Sequence, residues 1–157
     1  MSYPAKLQRI VDLFASAPKE IRIQALLDYS NRVPPLPPRY AENRDSLEQV
    51  HECQSPFFLA TEVDKDGSVT MFFESPLEAP TVRGYAGILA EGLNGEQATT
   101  ILELPNDFYY GIGLEDIVTP QRLRGMGAIV ARLKRQISDQ LEMASGAAPS
   151  RPSEEAE

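Results

Sequence analysis

PFFLATEVDKDGSVTMFFE, residues 56–74, decides the fold. Two runs rich in aromatic, β-branched and aliphatic residues, 57–63 and 69–73, flank Asp64-Lys65-Asp66-Gly67-Ser68. Short polar side chains and a glycine supply turn chemistry there, while the flanking residues suit a pleated, half-buried surface. Successive side chains of a strand point to opposite faces. Phe57, Leu59, Thr61 and Val63 therefore share one face, and Val69, Met71 and Phe73 share a face of the partner strand. The stretch predicts an antiparallel hairpin with one apolar side. A short extended piece over residues 47–50 adds an edge strand, giving a small sheet of about three strands.

Helical spacing surrounds this hairpin on both sides. Leu7, Ile10, Val11 and Phe14 fall at i, i+3, i+4 and i+7, which predicts a helix over about residues 4–16. Pro18 suits a first helical turn, and Ile21, Ile23, Ala25, Leu26 and Leu27 supply the apolar face of a second helix reaching about residue 31. The run VPPLPPRY, residues 33–40, excludes helix on this reading and forms a stiff connector, because each proline removes a donor and biases its predecessor toward extended backbone. Beyond the hairpin, Val82, Tyr85, Ala86 and Leu89 restore the helical period, with Gly84 and Gly87 permitting close approach of another backbone. Asn94-Gly95 ends that helix, a short one spans about residues 96–104, and PNDFYYGIGL, residues 105–114, is irregular with helical turns. Thr119-Pro120 caps a last helix striped by Leu123, Met126, Val130, Leu133, Ile137 and Leu141. The fold class is α+β, with a small antiparallel sheet packed against several helices. A single domain is expected over residues 1–143. Residues 144–157 lack large apolar side chains and predict a disordered acidic tail.

Composition narrows the function classes. A chain of 157 residues suits one core, and no apolar run approaches the roughly 20 residues that span a bilayer. The opening MSYPAKLQRI has no apolar signal region, so the expected location is cytoplasmic and no membrane contact is expected. A formal net charge of -8 argues against nucleic acid as a partner, since that attraction rests on a basic surface. One cysteine and one histidine exclude an intrachain disulfide and multi-thiolate metal sites, and no metal site is expected.

Chemistry therefore concentrates on Cys53, in HECQSPFF, between a polar segment and the first clear strand. That placement predicts an accessible thiol. A thiol is nucleophilic only as thiolate, and at its ordinary pKa of about 8.5 little is ionised at neutral pH. A neighbour must assist, or the attack occurs inside a partner's active site. In an extended segment His51 lies on the same side as Cys53, where it raises the thiolate fraction or relays a proton; as a solvated surface imidazole it has no role. Both readings stand. A cysteine-dependent hydrolase or transferase using this pair is the competing class, weakened by the i, i+2 spacing and by the lack of a second histidine.

Cys53-Gln54-Ser55 followed by an aromatic-aliphatic strand resembles the active-site motif of the SufE family, sulfur acceptors for cysteine desulfurases. EAPTVRGYAGIL from Glu78 and GLEDIVTPQRLRGM from Gly113 resemble two further blocks of that family, in the same order. The resemblance runs from about Ala5 to Leu141 and implies a SufE/NifU-like fold. It implies that Cys53 takes a persulfide sulfur from a cysteine desulfurase of the SufS/CsdA type, stimulates that enzyme, and delivers sulfur to a SufBCD-type iron-sulfur scaffold. No cofactor is expected in this chain, pyridoxal phosphate belonging to the desulfurase; no independent turnover and a monomeric state are expected. By the same resemblance, Arg122 supports the thiolate or the cysteine loop, or contacts the partner, while Gln54, Ser55, Glu78 and Arg83 are partner-binding. Arg122 stands in a first helical turn, where the macrodipole disfavours a cation, which suggests a duty other than helix stability. A noncovalent regulator of a desulfurase is the remaining alternative.

Overall fold

The structure, a computed structural model, describes residues 3–146. Helices α1 (Ala5–Ala15), α2 (Lys19–Ser30) and the short α3 (Pro38–Ala41) precede strands β1 (Glu48–Gln49), β2 (Phe58–Val63) and β3 (Val69–Glu74). Helices α4 (Pro80–Leu93), α5 (Ala98–Leu102) and α6 (Pro120–Ala144) follow, with 3-10 turns at Arg44–Ser46, Phe108–Ile112 and Leu114–Asp116. The fold is α+β, as the periodicities require. The predicted disordered tail begins at residue 144, still helical here, and its residues 147–157 lie outside the described part.

The strands form one antiparallel sheet in the order β1-β2-β3. The hairpin register pairs Leu59 with Phe73, Thr61 with Met71 and Val63 with Val69, so the two expected apolar faces coincide. Gly67 holds φ +87 in the connecting turn, a backbone conformation that L side chains rarely adopt. Leu59, Met71 and Phe73 are buried against α4 and α6. Thr61 is buried on the same face, where its hydroxyl donates to Gln136 Oε1 at 2.9 Å and Gln140 Nε2 donates to its carbonyl at 2.8 Å. A buried polar group costs stability unless paired, so these two glutamines also fix how α6 lies on β2.

Two sequence expectations require correction. Residues 38–40 of the proline-rich run are helical after all. Pro38 occupies the first turn of α3, where a missing N–H costs nothing, and the Tyr40 and Ala41 amides both donate to Pro37 O at 2.9 Å. This places the Tyr40 ring 4.9 Å from that of Phe72 and the Arg39 guanidinium 5.2 Å above the same ring, covering the sheet's outer side. Second, the apolar face expected of α2 turns inward only in part, through Leu26 and the partly buried Ala25. Ile21, Ile23 and Leu27 are exposed, whereas Leu26, Tyr29 and Ser30 are buried. The cause lies in α4: β-carbons at Gly84 and Gly87 would stand 2.2 Å from Leu26 O and 2.0 Å from Tyr29 O, so the two helix backbones nearly touch along that line. Close approach selected the face, and bulk did not.

Helix α6 carries Leu123, Met126, Ile129, Val130, Leu133 and Ile137 into the core, and the Thr119 hydroxyl accepts from the Arg122 amide at 3.4 Å as its cap. Tyr85, Phe14, Phe57 and Phe108 are the largest fully buried side chains of a continuous core. Among the described residues, no helix is long and apolar enough to cross a membrane.

Candidate functional site

Cys53 lies in the connection between β1 and β2, on a loop whose two ends are nailed down. Val50 and Phe57 are almost completely buried, and the Val50 amide donates to Phe57 O at 2.8 Å, closing the base of residues 51–56. Within the loop the Cys53 amide donates to Val50 O at 3.2 Å. The chain is therefore turned here and not extended, which removes the geometry that would have placed His51 beside the thiol. His51 is exposed.

The thiol is half-buried and packs on α6 at Gly125, where a β-carbon would stand 3.1 Å from Cys53 Sγ and 3.4 Å from its Cα. Glycine at this position makes the seat. Burial pushes the Cys53 thiol up to about 11, the neighbouring Glu52 carboxylate adds to that rise, and Arg132 opposes it. At neutral pH the seated group is thus a protonated thiol, a poor nucleophile.

A network of charges runs beneath the loop. Arg132 of α6 donates to Glu52 Oε1 at 2.7 Å and to Glu48 Oε2 at 2.9 Å. Gln136 donates to Glu48 Oε1 at 2.8 Å, and Arg135 pairs with the same oxygen. Burial alone would raise the Glu48 carboxyl, but the hydrogen bonds from Gln136, Arg135 and Arg132 outweigh it and hold the group below the usual carboxylate range. The Arg132 hydrogen bond lowers Glu52 likewise.

On the other side of the loop, Gln54, Ser55, Glu78, Thr81 and Arg122 line a cleft of about 190 Å³. It opens where the N-terminal ends of α4 and α6 come together. Arg122 is exposed, its only side-chain hydrogen bond among the described residues being a long one of 3.5 Å from Nη1 to Thr81 Oγ1. The structure thus brings four of the anticipated residues to one concavity beside Cys53. The charged groups that act on the seated thiol are Glu52 and Arg132. Arg83 is elsewhere: its Nε donates to Ser30 O at 2.7 Å and its Nη1 to Ser75 O, tying α4 to the ends of α2 and β3. Glu48, Glu52, Gly125 and Arg132 were not singled out from the sequence. The available signal was the spacing of Gly125 and Arg132, seven residues apart and so on one helix face, with a glutamate adjoining the sole cysteine.

The comparisons with known proteins agree with one another. A family model described as SufE, Fe-S metabolism associated domain, matches residues 8–137. An uncharacterized SufE-like protein of Mycobacterium tuberculosis is 43% identical over 138 residues, 88% of this chain and 95% of the relative. One from Synechocystis is 32% identical over 124 residues, 78% of this chain and 74% of the relative. The solution structure of a hypothetical protein from Thermus thermophilus is similar with a TM-score of 0.79 and 48% identity, covering 89% of this chain and 98% of that one.

Proposed function

Since the chain belongs to the SufE family, associated with Fe-S metabolism, we propose that it is a sulfur acceptor working with a cysteine desulfurase, and that Cys53 carries the sulfur. The observation that supports this most directly is a sole cysteine on a loop anchored at both ends, protonated at rest, beside a cleft that bears Arg122, Glu78, Gln54 and Ser55. Such a thiol does little alone and waits for a partner to expose and ionise it. In the transfer, the Cys53 thiolate attacks the terminal sulfur of a persulfide on the desulfurase. The donor's S–S bond breaks, its cysteine leaves as a thiolate, and a new S–S bond forms at Cys53 without net oxidation. The sulfur then passes by the same exchange to an iron-sulfur scaffold of the SufBCD type.

On this reading the chain is a cytoplasmic monomer without a cofactor of its own, stimulates the desulfurase, and has no independent turnover; pyridoxal phosphate stays with the partner. The cleft is the surface on which the desulfurase docks, with Glu78 and Arg122 as opposite charges at its rim. Intact-mass measurement after incubation with a desulfurase and cysteine tests the proposal. A thiol-reducible gain of about one sulfur atom, mapped to Cys53 and absent from Cys53→Ser, is expected. A Cys53→Ser protein that stimulates the desulfurase as well as the native one points instead to a noncovalent regulator.

A further inference from the structure

We infer that the Glu52–Arg132 ion pair is a releasable clasp, with Arg132 the positioning residue that holds the Cys53 loop on α6. The loop has few other fastenings. Among the described residues, the hydrogen bond from Arg132 to Glu52 is the only one that ties a side chain of residues 51–56 to another part of the chain, and the Cys53 amide bond to Val50 O is the only backbone bond within the loop. Beyond these, Cys53 packs on the core, and Cys53 and the Glu52 carbonyl lie against Gly125. The two ends of the clasp are unequal. Arg132 is 21% exposed and stays fixed by Glu48, which Arg135 and Gln136 hold in turn; Glu52 is 48% exposed and has no second side-chain partner among the described residues. Breaking one bond therefore frees the loop while the rest of the network remains in place. A partner cation reaches Glu52 from the solvent side, and a partner carboxylate competes for Arg132.

Clasping and simple electrostatics predict opposite signs for one substitution. If Arg132 acted on the thiol only through its charge, removing it would make the thiolate scarcer and alkylation slower, whereas removing Glu52 would make alkylation faster. A clasp is broken from either side, so Arg132→Gln and Glu52→Ala both release Cys53 from its seat and both speed alkylation. The experiment measures the reaction of the full chain with iodoacetamide at neutral pH and low salt, alongside hydrogen exchange at the Cys53 amide. The expected result is an increase of about fivefold in alkylation for each variant, the size of a partly exposed ion pair, with faster amide exchange in both. Arg132→Lys, which keeps one charged bond, restores most of the protection. Molar salt speeds native alkylation and leaves Glu52→Ala unchanged.

A folded Arg132→Gln protein that alkylates at the native rate or slower overturns the inference. Should that variant not fold, unchanged amide exchange in Glu52→Ala overturns it equally. The purpose of the clasp rests on the sulfur-acceptor reading, but these readouts need no desulfurase. A failed clasp leaves the mass gain at Cys53 intact, and a missing mass gain leaves the clasp standing.

Discussion

Raising the pH should expose the cost of seating Cys53 against α6. The folded thiol is pushed up to about 11, mainly by burial, whereas a free cysteine titrates near about 8.5. At pH 7.5 about one free thiol in ten is ionised, against about one in three thousand of the seated ones, a ratio of about 300. Alkylation by a neutral reagent follows the thiolate, so its rate in the folded protein should climb tenfold per pH unit until about pH 10. The urea-unfolded chain should instead level off above about pH 9. On ionisation alone their ratio at pH 7.5 should be on the order of 300, lowered by the greater nucleophilicity of the more basic thiolate and raised by steric protection, and it should shrink steadily toward pH 11. Stability moves with the same sign. A raised folded-state pKa means that the folded form holds the proton more tightly, so this contribution is whole below about pH 8.5 and is lost as the pH rises to about 11. Thermal melts of the native chain and Cys53→Ser should diverge in that window, with the native chain losing more. A folded-state alkylation profile that levels off near pH 8.5, with circular dichroism confirming the fold, would refute the reasoning, because the seat would then not desolvate the thiol.

Gly87→Ala should destabilise the protein even though alanine is the better helix former. The added β-carbon would stand 2.0 Å from Tyr29 O and 2.8 Å from its carbonyl carbon, so α2 must move outward. Overpacking of this kind, less the propensity gain of about 1 kcal/mol, leaves a net loss of about 2 kcal/mol; a urea midpoint equal to or above the native value would contradict it. Arg122→Ala should leave the unfolding free energy within about 0.5 kcal/mol of native, given its exposure and a single long side-chain hydrogen bond, while slowing sulfur acceptance from the desulfurase several-fold. A large stability loss with unchanged transfer would make Arg122 a structural residue instead.

Much of the architecture was legible because its signals are local. The alternation in residues 58–63 and 69–74 and the turn at Gly67 specify a hairpin and its register with no knowledge of what covers it. The stripe from Leu123 to Ile137 and the Thr119-Pro120 cap do the same for α6. Helix α2 was misread for a physical reason. Three of its large apolar residues, Ile21, Ile23 and Leu27, stay outside because the glycines of α4 draw in the Leu26–Tyr29 line, and no periodicity within α2 records what another helix lacks. Pro38 shows the converse case, a residue that forbids the middle of a helix while permitting its start.

The site divides along the same line. The chain alone singled out the sole thiol, and the resemblance of its short motifs pointed to four residues that line a cleft beside it, since a sole cysteine and a short motif are properties of order along the sequence. Only the tertiary structure decided how that thiol is kept. Its seat is the missing β-carbon of Gly125, and its hold is a guanidinium eighty residues beyond Glu52 in the chain. Burial and charge at a point depend on everything within a few ångströms of it, and neighbours in space leave no mark on spacing in sequence.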